Sequence, residues 1–519
     1  MKKALLTLLI TLSLAMMLSL SAFASDNANV VSLNDVEYAT LQEAVDVAIT
    51  KVSQGPQYIN VIRDIELDTT VVIPKPSGNA FAIVIELNGH TITSSASTVI
   101  QSNSFLGLMD NASENAGSII CTAENGTVIE SSSMLSVMGV KKETTIGNGT
   151  GYAIKSTGFY CDISDGTYLG SIQMVPAPPM SVIRNGVFSE DPSPYVDSKS
   201  CHVVCENGLY VATDCEAKIG DEWYENIEDA FSEANDGDTI TVLKQNSICV
   251  TIEKDITLDL NGCLLTCADN TTNITVAKGA KLTVIDSVGT GKMYTASKNQ
   301  DETINVQGEA VILGGAIGYN EKAIVVAQGG SLVVDGGTIK GAIASEGGDV
   351  SVTGGSFNTP VNSDHIAKGY KSSANEDGTY SIVEWVVTVE EIFVCKGYSV
   401  KEGGSGITIG YTFNQDAYEL YIEQNNAKID FGAVFAIDSI DESAVRYSLS
   451  SYSKTAEYCV SIYDIDEENF DTKLTMAIYL TINGETGYVT NGVDGGSIVT
   501  ADASLVNSTT YNKASGKEE

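Results

Sequence analysis

Four oxygen-bearing side chains, Asp464, Asp466, Asn469 and Asp471, fall within one short run. Hard cations such as Ca2+ are held by oxygen sets of this kind. The run lacks the glycine and the distal glutamate of a helix-loop-helix calcium loop, so a solvated acidic loop competes with a Ca2+ site. Tyr418, Tyr421, Tyr479 and Tyr488 lie in the same region and offer aromatic faces on which a carbohydrate could stack, although a sheet core uses tyrosine in the same way. No other cofactor is implied.

The remaining reactive residues form no familiar nucleophile or metal pattern. There is no His-Glu-x-x-His, no Gly-x-Ser-x-Gly and no phosphate-binding Gly-rich loop. The three histidines, His90, His202 and His365, are scattered, and His90 follows an Asn-Gly turn with no acid at a readable spacing. Ten cysteines in an exported chain suggest up to five disulfides, with buried thiols as the alternative. Cys201 and Cys205, like Cys263 and Cys267, are four residues apart, which on a strand is about 13 Å and too far for a direct bond.

The charge narrows the partners. Against 67 acidic residues stand 29 basic ones, a net of −38, and only Arg63, Arg184 and Arg446 are arginines. Nucleic acid and anionic membrane surfaces are therefore excluded as natural partners, because both are bound by neutralising phosphates. With 43% hydrophobic and 18% charged residues the chain is globular rather than disordered. Lys2-Lys3, an apolar run from Ala4 to Leu20 and Ala22-Phe23-Ala24 read as a cleaved export signal over residues 1–25. No later apolar run is long enough to cross a bilayer, so no membrane insertion is expected.

The elements that must carry these residues repeat. Tyr38-Ala39-Thr40-Leu41-Gln42-Glu43-Ala44-Val45 is matched by Tyr224-Glu225-Asn226-Ile227-Glu228-Asp229-Ala230-Phe231. Thr40 and Asn226 are helix caps, Glu43 and Asp229 stand where an acid reaches back to the cap, and apolar residues follow at helical spacing. Glu86-Leu87-Asn88-Gly89-His90 then corresponds to Asp259-Leu260-Asn261-Gly262-Cys263. Each copy ends in a polar-Gly-x-Tyr hairpin, Asn207 to Tyr210 and Asp377 to Tyr380. Within the second copy Gly pairs end β-branched runs at Gly314-Gly315, Gly336-Gly337 and Gly354-Gly355. A beat near 20 residues suits the coils of a parallel β-helix, whereas a two-sheet sandwich should turn every 8 to 12. From about residue 384 the beat stops and tyrosine becomes dense, and Asn483-Gly484 between apolar runs predicts a hairpin.

The capped helix, the strand after it and Leu-Asn-Gly-His-Thr-Ile resemble the start of the pectate-lyase-like right-handed β-helix superfamily, specifically its non-catalytic secreted repeat proteins of Gram-positive gut bacteria. The resemblance implies that each helix caps a coil stack, hiding its apolar interior and its first unpaired strand edge. Members with enzyme activity use clustered Asp with Arg, paired Asp with His and Lys, or Gln-Asp and Asp-Phe on strands. Here Arg184 has no carboxylate among its sequence neighbours, Asp430-Phe431 lies in the terminal region, and Gln300-Asp301 lies in a polar loop.

The expected architecture is mainly β: two tandem right-handed parallel β-helix units, each with an N-terminal capping helix, over 26–213 and 214–383. A β-sandwich over 384–505 and a tail over 506–519 follow. The expected function is a secreted, non-enzymatic adhesion protein that binds an extracellular glycan or a host or cell-surface protein. The alternative is a polysaccharide lyase or glycoside hydrolase whose site is dispersed over several coils.

Overall fold

A computed structural model describes residues 29–78, 80–175, 180–267, 271–295, 302–319, 321–388, 391–400, 406–437, 445–448, 457–463, 473–488 and 499–502. The chain is mainly β, with three α-helices among the described residues: α1 (Leu41–Ala48), α2 (Ile227–Glu233) and α3 (Gln415–Asn425). The export signal lies outside the described residues. No described helix is long and apolar enough to cross a membrane. The chain divides into two compact units, one of residues up to Leu332 with Gly337–Asp349, the other of Val333–Gly336 with residues from Val350 onward.

The first unit is made of parallel strands stacked in turns, an arrangement compatible with a β-helix. One turn runs through Ile83–Glu86, Thr91–Ser94 and Thr98–Ser102, and the next through Leu106–Met109, Ser118–Cys121 and Thr127–Ser131. Each strand pairs in parallel with its counterpart one turn on, as in Ile83 with Leu106, Ser118 with Thr91 and Thr127 with Thr98. Side chains alternate faces along a strand, so register places like upon like. Ile59, Ile85, Leu108, Val137, Ile163 and Ile183 stack in one interior column, each at most 1% exposed. A second column ends in Tyr168 and Phe188, whose rings stack at 5.0 Å. The second repeat does the same with Ile240, Leu258, Val284 and Ile312. Burial of each such side chain stabilises by about 1.5–3 kcal/mol, and the columns are the core.

Turn length departs from the expected beat. In the first repeat successive turns start at Gln57, Ile83, Leu106, Met134, Tyr160 and Ser181, 21 to 28 residues apart. Three strands per turn need more residues than the spacing of Gly pairs suggests.

The Leu-Asn-Gly motif is a turn corner. Asn88 and Gly89 have φ of 51° and 77°, and Asn261 and Gly262 have 47° and 74°. This left-handed conformation favours Asn and Gly. The Asn side chain donates to the preceding turn, to Val61 O at 3.1 Å and Val242 O at 2.8 Å. An acid from the following turn closes the corner: Asp110 accepts from the Gly89 and Gly117 amides and Thr144 Oγ1, and Asp286 from the Gly262 and Gly291 amides. The antiparallel hairpin Cys201–Glu206 with Leu209–Asp214 ends the first repeat and turns at Asn207-Gly208, as the sequence predicts.

Among the described residues one disulfide joins Cys249 and Cys267, while Cys121, Cys161, Cys201, Cys205, Cys215 and Cys263 are free thiols. The pairs at i, i+4 do not bond each other. The side chains of Cys395 and Cys459 fall outside the description.

In the second compact unit the hairpin Tyr370–Ala374 with Tyr380–Glu384 precedes two antiparallel sheets. One is built from Phe393–Val400, Gly406–Phe413 and Glu457–Tyr463, the other around Ile429–Ile437 and Lys473–Ile482. Helix α3, which the all-strand expectation does not include, is capped by Asn414 and ends on a left-handed Asn426. Phe393, Phe413, Phe431 and Tyr418 meet with ring centroids 5.0 to 5.9 Å apart, so the helix and both sheets share an aromatic core. The expected Asn483-Gly484 hairpin forms.

Candidate functional site

A cleft of about 440 Å3 opens at the end of the first repeat's stack, with Arg184, Asp197, Ser198, Ser200, Cys201 and Asp214 on its walls. Arg184 follows the strand Ser181–Ile183 and is held by its amide to Ile163 O at 2.8 Å. Its guanidinium forks onto Asp162, Nε to Oδ1 at 3.2 Å and Nη2 to Oδ2 at 3.3 Å. The Tyr160 hydroxyl donates to the same Asp162 Oδ2 at 3.0 Å. Burial and then the Asp162 hydrogen bond raise the Tyr160 pKa, so this hydroxyl stays a donor. Burial works against the Arg184 charge, but Asp162 more than restores it.

On the opposite wall the Asp214 carboxylate binds Lys244 Nζ at 3.0 Å, and Glu216 lies 3.9 Å from the same ammonium. Asn185 Oδ1 accepts from the Asp214 amide at 2.7 Å, which ties this strand to the coil that carries Arg184. Asp197 accepts from the Lys199 amide at 3.0 Å. The Lys199 ammonium is spent elsewhere, on Asn261 O at 2.9 Å and Cys263 Sγ at 3.3 Å. Cys201 donates to Arg184 O at 3.3 Å, and burial pushes its thiol up to about 12. It is a wall, not a nucleophile. The cleft therefore presents charged forks already paired, together with hydroxyls at Ser198 and Ser200. That chemistry suits hydrogen bonding to a neutral, hydroxyl-rich ligand.

The sequence pointed elsewhere. Asp464, Asp466, Asn469 and Asp471 lie outside the described residues. Tyr418 and Tyr421 are half-buried on α3, Tyr479 is 5% exposed, and Tyr479 and Tyr488 are opposed on paired strands. The structure thus brings Tyr418 into the aromatic core and Tyr479 opposite Tyr488, but prints no contact that gathers all four. His90 does have an acid neighbour, Asp64, 3.4 Å away and 26 residues earlier. Arg184 likewise takes its carboxylate from the preceding coil. Asp162 is in register with Val182, two residues before Arg184 and on the same face. The beat between Ile163-Ser164-Asp165-Gly166 and Ile183-Arg184-Asn185-Gly186 was the signal that could have found this pair. No group of three or more His, Cys, Asp or Glu among the described residues is arranged to hold a metal ion.

Comparison with known proteins returns no matching family, no similar curated protein and no similar solved structure.

Proposed function

We propose that this chain is an exported, non-enzymatic binding protein of the pectate-lyase-like kind. In this reading two right-handed β-helix units and a terminal β-sandwich present surfaces to an extracellular glycan or a cell-surface protein. One observation carries the reading. On the outer face of one sheet, Gln101, Glu130, Lys155 and Gln173 align in register, beside a second row of Thr98, Thr127, Tyr152 and Ser171. Rows repeat at the strand spacing of about 4.8 Å, so matched donors and acceptors recur along the stack. A polymer with a regular run of hydroxyls can meet many of them at once, and weak contacts then sum. The paired cleft at Arg184 adds a local pocket of the same chemistry.

A second reading has its own support. Asp162, Arg184, Asp197 and Asp214 converge on one cleft from separate segments, as a dispersed lyase or hydrolase site would require. One experiment separates the two. The mature chain is applied to a glycan array, and each bound polysaccharide is then incubated with it and assayed for new reducing ends. Binding without release is expected, and weakening when Glu130 and Lys155 are both changed to Ala. Any sustained release of reducing ends overturns the non-enzymatic reading.

A further inference from the structure

The two capping helices treat their nearest strand edge differently. In the first repeat the edge strand is Val71–Ile73, whose residues Val71 and Ile73 bond inward along the ladder. Val72 points its backbone outward, and the Gln42 side chain satisfies it completely. The Val72 amide donates to Gln42 Oε1 at 2.8 Å, and Gln42 Nε2 donates to Val72 O at 3.0 Å. One glutamine thus stands in for a neighbouring strand.

In the second repeat the equivalent edge strand is Val250–Ile252. The Val250 amide donates to Asn273 O, and Ile252 O accepts from the Ala277 amide, so these residues face the next turn. Thr251 faces outward, as Val72 does. The residue in the place of Gln42 is Glu228, which accepts but cannot donate. Neither the amide nor the carbonyl of Thr251 has a hydrogen-bond partner among the described residues. A cleft of about 330 Å3 lies between α2 and this strand, with Phe231, Ile252 and Ile256 as its apolar lining. Glu228 and Glu253 give its rim negative charge, while Lys254 Nζ is engaged by Ser232 O at 3.0 Å and by Ala234 O.

An unpaired strand edge is a template for one more strand. We infer that the open edge at Thr251 is a peptide-docking site, which takes an extended, basic segment of a partner protein by strand addition. The Thr251 amide and carbonyl supply the main-chain bonds. Phe231 and Ile256 take an apolar side chain, and Glu228 and Glu253 select Lys or Arg. A second copy of this chain is a poor occupant, since its net charge is −38. The inference does not rest on the glycan reading, and the outcome of a glycan array leaves it untouched.

The test uses the full mature chain and two labelled synthetic peptides, one alternating Val and Lys, the other alternating Val and Glu. The Lys peptide is expected to bind and to slow hydrogen exchange at the Thr251 amide. Glu228→Gln lets the edge close on itself, as Gln42 closes Val72, and should weaken binding roughly tenfold or more without lowering the melting temperature. Gln42→Glu should expose the Val72 amide and add a second binding site. Equal binding of the Glu peptide, unchanged affinity in Glu228→Gln, or no protection of Thr251 would each overturn the inference. So would self-association of the free chain that Glu228→Gln abolishes, because a second copy would then be the occupant.

Discussion

The two repeats assemble the same parts in the same order and finish them unequally. In the first, α1 has a complete capping box: the Glu43 amide donates to Thr40 Oγ1 at 3.2 Å, and the Thr40 amide donates to Glu43 Oε2 at 3.3 Å. Leu41, Ala44, Val45 and Ala48 are all buried beneath it. In the second, Asn226 caps the Glu228 amide only, and the box with Asp229 does not form. Glu216 catches the Ile227 amide from outside at 3.1 Å, and Phe231 is only half-buried beside a cleft. The braced corner shows the same gradation, since Asp110 is 1% exposed and accepts three bonds while Asp286 accepts two. A helix that merely closes a stack needs full satisfaction. One with an incomplete cap and an open edge is cheaper to adapt for contact.

The sharpest test of that contrast is to place a charge under each helix. Val45→Asp buries an unpaired carboxylate at a position with no exposure and should cost about 4 kcal/mol or more. Phe231→Asp leaves the new carboxylate at a water-filled margin and should cost only about 1 kcal/mol. Urea unfolding of both variants reads the difference. Equal losses would mean that α2 covers its core as fully as α1 does, and the contrast would fail.

Next in size are the corner acids. Asp110→Ala strands the amides of Gly89 and Gly117 and the Thr144 hydroxyl, which is buried, and should cost about 3 kcal/mol. Asp286→Ala strands two amides in a less buried corner and should cost about 1–2 kcal/mol. A reversed order would show that the second corner, not the first, holds its stack together.

How much of this could be read in the residues follows from distance along the chain. Caps, the Asn-Gly hairpins and the internal duplication depend on neighbours within a few positions, and Thr40, Asn226, Asn207 and Asn483 act as their spacing implies. The interior columns depend on register between turns, which periodicity only outlines because turn length varies from 21 to 28 residues. The pairs that build the cleft, Asp162 with Arg184 and Asp214 with Lys244, span 22 and 30 residues and leave no local motif. Nor does a sequence show that Gln42 is doing the work of a strand, since that role exists only once Val72 is brought beside it. Helix α3 was hidden for another reason: its apolar positions serve an aromatic core shared with two sheets, so its own periodicity is weak.

The smallest expected effect concerns sulfur. Burial pushes the Cys161 thiol from its ordinary value near 9 up to about 12, and it sits in an interior column between Leu135 and Ser181. In the second repeat Cys249 and Cys267 are bonded and have no proton to lose. Between about pH 9 and 12 the unfolded chain releases the Cys161 proton while the folded chain keeps it, so the unfolded state binds fewer protons and stability falls as pH rises. Below pH 9 the contribution is fully present. One thiol accounts for a slope of about 1.4 kcal/mol per pH unit across that window. Lysines and other buried groups add to the total, so the informative quantity is the difference between wild type and Cys161→Ala. The variant should lose some stability at pH 7 through its small cavity, yet fall less steeply above pH 9. Measured by rapid urea unfolding, parallel slopes would show that Cys161 ionises freely in the fold. The closed interior assigned to the first repeat would then be open to solvent at that turn.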